Sequence, residues 1–299
     1  MAVDSLKQVV EDARRWIEQE RVWDEALYAT AQASPPATSV AVPSPDGRGK
    51  SGNVLPSPVR RGSRGAGGEV KAAALQILYE QYKDCTRCPL GNTRLKFVFG
   101  VGNPDAEVLF IGEGPGYDED HQGEPFIGRA GKLLDQMIES IGLSRKSVYI
   151  ANIVKCHAMI HPDTPHERGN DRAPTTLESE TCSPILQQQI AIITPRIIVT
   201  LGSPSTRSTL GTQEGISKIR GRLFPLPMTY FKGQGAEADL FDNKKRDEFM
   251  GFSPEQLAPL SKIQVLPMYH PAALLRNPNL KKDAWEDMKL LRDTLAMKA

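Results

Sequence analysis

The chain has 299 residues, 39% of them hydrophobic, and a formal net charge of +1. That length supports one large domain with accessory segments. The near-neutral balance excludes a protein that holds nucleic acid by its overall charge, so any basic face must be local. No apolar run is long enough to span a bilayer and the N-terminal stretch is polar and charged, so the expectation is a soluble, intracellular, cytoplasmic protein with reduced cysteines.

In chain order, residues 1–30 read as a helical segment. Leu6, Val9, Val10, Ala13, Trp16, Ile17, Trp23 and Leu27 recur at helical spacing. Their apolar face needs a cover, either the main domain or a repair or replication protein. Residues 31–68 are rich in Pro, Ser and Gly and carry Arg48, Lys50, Arg60, Arg61 and Arg64. They read as a disordered basic linker. A solvated tether is the plainer reading; added attraction to phosphates is the alternative.

The folded domain is expected over 69–299. Strands are predicted at Glu107–Gly112, Val148–Val154, Arg196–Gly202 and Ile263–Met268. Helices are predicted at Lys132–Ile141, Thr176–Ile193, Ser205–Leu210 and Asp283–Met297. This alternation predicts an α/β fold, three-layer αβα, around a mainly parallel central four-stranded sheet. Ligands of such sheets bind beyond the carboxyl ends of the strands. Residues 229–261, polar and charged, read as a surface insertion before the last strand.

The chain has four cysteines, Cys85, Cys88, Cys156 and Cys182. Cys85-Thr-Arg-Cys88 is a tight pair followed at once by Pro89; the other two stand alone downstream. Four thiolates suit a structural zinc or an iron–sulfur cluster. Zinc sites tend to use two close pairs, so one close pair with two scattered partners leans toward a 4Fe–4S cluster. Ordinary buried thiols are the bland alternative.

Each predicted strand ends on an unusual segment. The first runs into Gly112-Glu113-Gly114-Pro115-Gly116, with Glu119 and Asp120 following; the second reaches Asn152, then Lys155-Cys156. The third leads to Gly202-Ser203-Pro204-Ser205, and the fourth to His270-Pro271 and onward to Arg276. The first turn is neither a Walker loop nor a dinucleotide fingerprint, because the Lys and the third glycine are missing. It is a rigid turn that lets a ligand approach backbone N–H groups. Taken singly, the turn, His270, Asn152 and Phe126 all have plain structural readings. Four such ends on one sheet would meet at one crevice.

Together these residues resemble the family 4, iron–sulfur, uracil-DNA glycosylases. The match runs roughly from Ala73 to Leu295 and rests on Cys85-Thr-Arg-Cys88-Pro-Leu, Gly112-Glu-Gly-Pro-Gly-Tyr-Asp-Glu-Asp, Asn152-Ile-Val-Lys-Cys156, Cys182 and His270-Pro-Ala-Ala-Leu-Leu-Arg276. The resemblance implies a monofunctional glycosylase, acting as a monomer, that excises uracil from DNA in base excision repair. The cysteines would bind a 4Fe–4S cluster that scaffolds rather than reacts. The base, flipped from DNA, would stack on Phe126 and lie against the Gly112–Gly114 turn. Asn152 would accept from uracil N3–H and donate to O4, and His270 would donate to O2. Glu113 and Glu119 would be candidates to position the water, Glu119 also lining the C5 side. Leu274 and Leu275 would wedge into the gap left by the base. Arg276, Ser203 and Ser205 would hold phosphates.

The sequence departs from that family between Cys156 and Cys182, where the segment is longer and holds His157, His161 and His166, three of the five histidines. A related branch traps the abasic sugar covalently through a loop histidine. The basic stretch that precedes that histidine is missing here, so an enlarged surface loop is the preferred reading. The rival functions are a covalent uracil-DNA-trapping relative, a non-catalytic nucleic-acid-binding protein on the same scaffold, and a zinc-binding domain without activity.

Overall fold

The computed structural model describes residues 66–231 and 258–297. The chain divides into two units, Met1–Ser57 and Pro58–Ala299. The expected N-terminal helix, nearly all of the expected linker and most of the 229–261 insertion lie outside the described residues.

The elements in order are α1 (Ala66–Tyr82), α2 (Leu90–Thr93), β1 (Val101–Gly102), β2 (Val108–Gly112), α3 (Tyr117–Gln122), α4 (Arg129–Ser140), β3 (Tyr149–Asn152), α5 (Thr176–Ile193), β4 (Ile197–Leu201), α6 (Ser203–Leu210), α7 (Ile216–Ile219), β5 (Phe224–Pro225), β6 (Gln264–Met268), α8 (Pro271–Arg276) and α9 (Lys281–Ala296). All four predicted strands are present. The sheet nevertheless has six strands, in the order β1-β3-β2-β4-β6-β5. The central four are parallel, and each edge carries a two-residue antiparallel strand. Two residues are too few to show an alternating pattern, so the sequence alone does not mark these edges.

Side chains alternate across a strand, and the two faces of this sheet feed two separate cores. Leu109, Ile111, Tyr149, Ala151, Ile198 and Val265 join α1 and α5 on one side. Val108, Phe110, Ile150, Ile197, Val199, Leu201, Leu266 and Met268 join α4, α8 and α9 on the other. Both faces are covered, which is why β2 and β4 are almost wholly apolar, Thr200 apart, and fully buried. The result is the three-layer αβα arrangement.

Helix α5 starts where the sequence places it. Thr175 and Glu178 form a capping box, and Arg172 grips the same Glu178 carboxylate through both guanidinium ends at 2.7 and 2.8 Å. That grip ties the end of the 157–172 segment to the helix that carries Cys182. Helix α1 begins at Ala66, three residues ahead of the expected domain start.

Candidate active site

The parallel strands end together. Gly112 pairs with Asn152 across β2 and β3, and Leu201 pairs with Met268 across β4 and β6. Beyond the ladder, Ile153 N donates to Gly112 O at 3.0 Å and Val154 N donates to Glu113 O at 3.2 Å. Gly202 N donates to Met268 O at 2.8 Å. Thus Gly112, Asn152, Gly202 and His270 gather at one edge of the sheet, as expected of a binding crevice in this architecture.

Gly112 sits against the side chains of Asn152 and Phe126. A Cβ there would lie 2.4 Å from Asn152 Oδ1 and 2.5 Å from Phe126 Cζ. Asn152 is 1% exposed, and its Oδ1 has no hydrogen-bond partner. A buried acceptor left unpaired is costly, and such an atom in a native fold calls for an explanation. The Phe126 ring faces His270 with centroids 5.5 Å apart. Phe126 therefore belongs both to the core and to the site.

His270 is the N-cap of α8, its Nδ1 accepting from Ala272 N at 3.1 Å. An accepting Nδ1 carries no proton, so the neutral ring bears its proton on Nε2. Burial, with Arg276 adding repulsion, pushes the His270 pKa down to about 4. The ring is therefore a neutral Nε2–H donor at physiological pH.

The two candidate acids have separate surroundings. Glu119 spends both oxygens on the backbone: Oε1 accepts from Ile127 N at 3.0 Å and Gly128 N at 3.1 Å, and Oε2 accepts from Gly116 N at 3.1 Å. It braces the glycine turn to the Phe126 segment, a structural bond that its expected water-positioning part did not include. Glu113 is half-buried, and burial raises its pKa.

Two expectations need correction. Ser205 is fully buried and its hydroxyl donates to Leu201 O at 2.8 Å and Gly202 O at 3.1 Å, so it holds the turn and no phosphate. Ser203 stays partly exposed at the first position of α6. Leu274 is 1% exposed and part of the core, whereas Leu275 is 38% exposed and Arg276 is exposed beside it. Of the two leucines expected to wedge, only Leu275 is exposed. Leu274→Ala should cost about 2–5 kcal/mol in denaturant unfolding. Leu275→Ala should stay within about 0.5 kcal/mol of the parent while slowing turnover on duplex DNA.

The four cysteine thiols lie within electrostatic reach of one another: Cys156 feels Cys182 and Cys88, and Cys182 feels Cys85 and Cys88. Burial pushes Cys156 up to about 12 and Cys182 up to about 11, so without a cationic centre both stay protonated. Arg94 shapes the Cys85 loop, donating to Cys85 O at 2.6 Å, Gly91 O at 3.0 Å and Cys156 Sγ at 3.5 Å. Among the described residues, no three His, Cys, Asp or Glu side chains stand at the spacing of a single metal ion.

Sequence reasoning missed several residues that connect these parts. Lys155 is fully buried and donates to Asn152 O at 2.8 Å and Gln189 Oε1 at 2.6 Å, joining the thiol region to the strand end that carries Asn152. Its signal was a lone cation in an apolar run, Ile153-Val154-Lys155-Cys156. Asp120, fully buried, accepts from Leu95 N at 3.0 Å and Lys96 N at 3.2 Å. His157 lies between Asp120 at 3.5 Å and Asp171 at 2.7 Å. Burial opposes its charge, yet the two carboxylates hold its pKa above the ordinary value. The loop that follows folds back on α3: His166 meets His121 at 3.1 Å, and Arg168 lies over the Tyr117 ring and donates to Asp118 at 2.8 Å.

The middle layer of this αβα domain is a sheet whose carboxyl edge gathers a glycine turn, an unpaired buried amide, an aromatic face and a neutral histidine. The chain belongs to the uracil DNA glycosylase superfamily, whose family model matches residues 99–289. It is 39% identical over 225 residues to a Type-4 uracil-DNA glycosylase of Sulfurisphaera tokodaii, covering 74% of this chain and 84% of that protein. It is 35% identical over 229 residues to that of Saccharolobus solfataricus (75% and 88% covered). Against the Archaeoglobus fulgidus protein of the same name it is 33% identical over 229 residues (75% and 95%). Among the described residues no helix is long and apolar enough to cross a membrane.

Proposed function

We propose that this protein hydrolyses the N-glycosidic bond of uracil in DNA, as a monofunctional glycosylase of base excision repair. The observation that carries this reading is the buried, unpaired Oδ1 of Asn152 beside Phe126. Uracil flipped into the crevice stacks on Phe126, and its N3–H supplies the donor that Oδ1 lacks. The Asn152 amide N–H₂ donates to O4. Cytosine presents the reverse pattern and leaves buried groups unpaired, which rejects it strongly.

When the C1′–N1 bond breaks, its electron pair goes to the uracil ring and charge builds on O2. His270 Nε2–H donates to that oxygen without giving up its proton. A neutral donor fits this task, since it is ready at physiological pH without first being charged. Water adds to C1′ and gives its proton up to solvent, and the departed uracil anion takes one up in turn. With the Glu119 oxygens committed to backbone amides, Glu113 is the acid we assign to orienting that water. Leu275 fills the gap in the duplex, and Ser203 and Arg276 hold phosphates.

Cys85, Cys88, Cys156 and Cys182 fit a 4Fe–4S cluster. All four are soft donors in one apolar cluster, and Arg94 donates toward one sulfur. Such a group, when bound, supplies folding free energy and no step of the hydrolysis. Cys88→Ala should lower the melting temperature and remove visible absorption along with activity; a variant that kept its full stability, colour and iron content would sink this ligand assignment.

The deciding assay incubates the protein with a uracil-containing oligonucleotide and then alkali. Strand scission at the uracil is expected. Scission no greater than the blank would refute the reading. A denaturation-resistant protein–DNA adduct would shift it to the covalent-trapping branch.

A further inference from the structure

We propose that Arg145 is the positioning residue that sets the Phe126 platform. This rests on the stacking role given to Phe126 above. Among the described residues only Phe126, at φ 54°, and Thr194, at φ 47°, have positive φ without being glycine. Thr194 ends helix α5, where a left-handed residue is ordinary. Phe126 caps no helix, and an aromatic residue in this region is strained unless its surroundings hold it there.

The surroundings are specific. Arg145, in the connection between α4 and β3, donates through Nη1 to Phe126 O at 3.0 Å and through Nη2 to Pro125 O. Asp135 of α4 steadies the guanidinium at 2.9 Å. On the other side of the ring's backbone, Ile127 N and Gly128 N are fixed by Glu119. Gly131 gives the room: a Cβ there would fall 1.8 Å from Phe126 O. The two carbonyls before and at the strained residue are thus clamped by one planar fork, a geometry that Lys cannot reproduce. Released, the backbone relaxes toward negative φ, and the ring leaves its place against Gly112.

The strain sets the ring's position, so its loss appears in turnover. Arg145→Met should lower kcat/KM on a uracil-containing oligonucleotide by about 10- to 100-fold, as misplacement of a positioned group by about an ångström does. Arg145→Lys, able to reach one carbonyl, should recover part of it. The measurement that separates positioning from general loosening is a cycle with Phe126→Ala. Arg145→Met added to Phe126→Ala should slow it no further. Wild-type turnover in Arg145→Met, or losses that multiply in the double variant, would overturn the proposal. If Arg145→Met does not fold, the same cycle is run with Arg145→Lys and with Asp135→Asn, which loosens the fork without removing it; additivity there overturns it equally. Phe126→Ala alone tests the platform: wild-type turnover in that single variant defeats the stacking role itself, whatever Arg145 does.

Discussion

Replacing His270 with alanine should lower turnover on uracil-containing DNA by about 10²–10³-fold while DNA binding survives. That is the usual cost of removing one preorganised donor aimed at developing charge. The same change removes the acceptor that caps α8, worth about 0.5–2 kcal/mol, so activity and stability need separating. His270→Asn keeps a capping acceptor near Ala272 N but shortens the reach to the base; it should recover the stability and not the turnover. Undiminished turnover in both variants would refute the assigned role.

The protonation state sharpens this expectation. Between about pH 5 and 8 the His270 ring stays a neutral donor, so kcat should show no limb near pH 6.5 from this residue. A limb near 6.5 that disappears in His270→Asn would contradict the neutral-donor reading. The stability effect has a definite sign. The folded pKa, about 4, lies below the ordinary 6.5. In that window the unfolded chain takes a proton that the folded ring refuses. Folding stability therefore falls as pH drops from 6.5 toward 4, and this group adds no pH dependence above that window.

Gly112→Ala is the second large effect. Its added Cβ would stand 2.4 Å from Asn152 Oδ1 and 2.5 Å from Phe126 Cζ. Gly112 itself lies on a parallel strand locked to Asn152, so the backbone cannot yield freely. Either the amide or the ring must move, and the proposed recognition of the base uses both. We expect kcat/KM to fall by about 100-fold or more, with a stability loss of about 1–3 kcal/mol from overpacking. Steady-state kinetics alongside thermal unfolding decides it; near-parental kinetics would show that the two side chains do not share one slot.

The parts of this protein differ in how legible they are from residues alone. The four central strands are short, mainly apolar runs, and α5 has both a capping box and a long helical pattern, so local rules suffice for them. Helix α3 is hidden because six residues between glycine turns give periodicity little room. Of the site, Asn152 and His270 are visible as polar residues closing apolar strands. The roles of neighbours are not visible, because they depend on which way a side chain points. Leu274 and Leu275 are adjacent and chemically alike; the turn of α8 sends one into the core and leaves the other exposed. Ser203 and Ser205 look equivalent until the helix start buries the second. Arg145 carries no motif at all, and only the fold brings it beneath Phe126.

By itself, the sequence determined the four-thiol set, the order of the strand-end segments and the family to which they point. These are matters of residue type and spacing, which survive without coordinates. Tertiary structure decided what the Glu119 carboxylate is bonded to, which leucine is exposed, which tautomer His270 adopts and what holds Phe126 in a left-handed conformation. The His270 tautomer follows from a bond to Ala272 N, two residues on; the others depend on contacts between separate segments of the chain. Such contacts form only when the sheet closes and brings the strand ends to one edge.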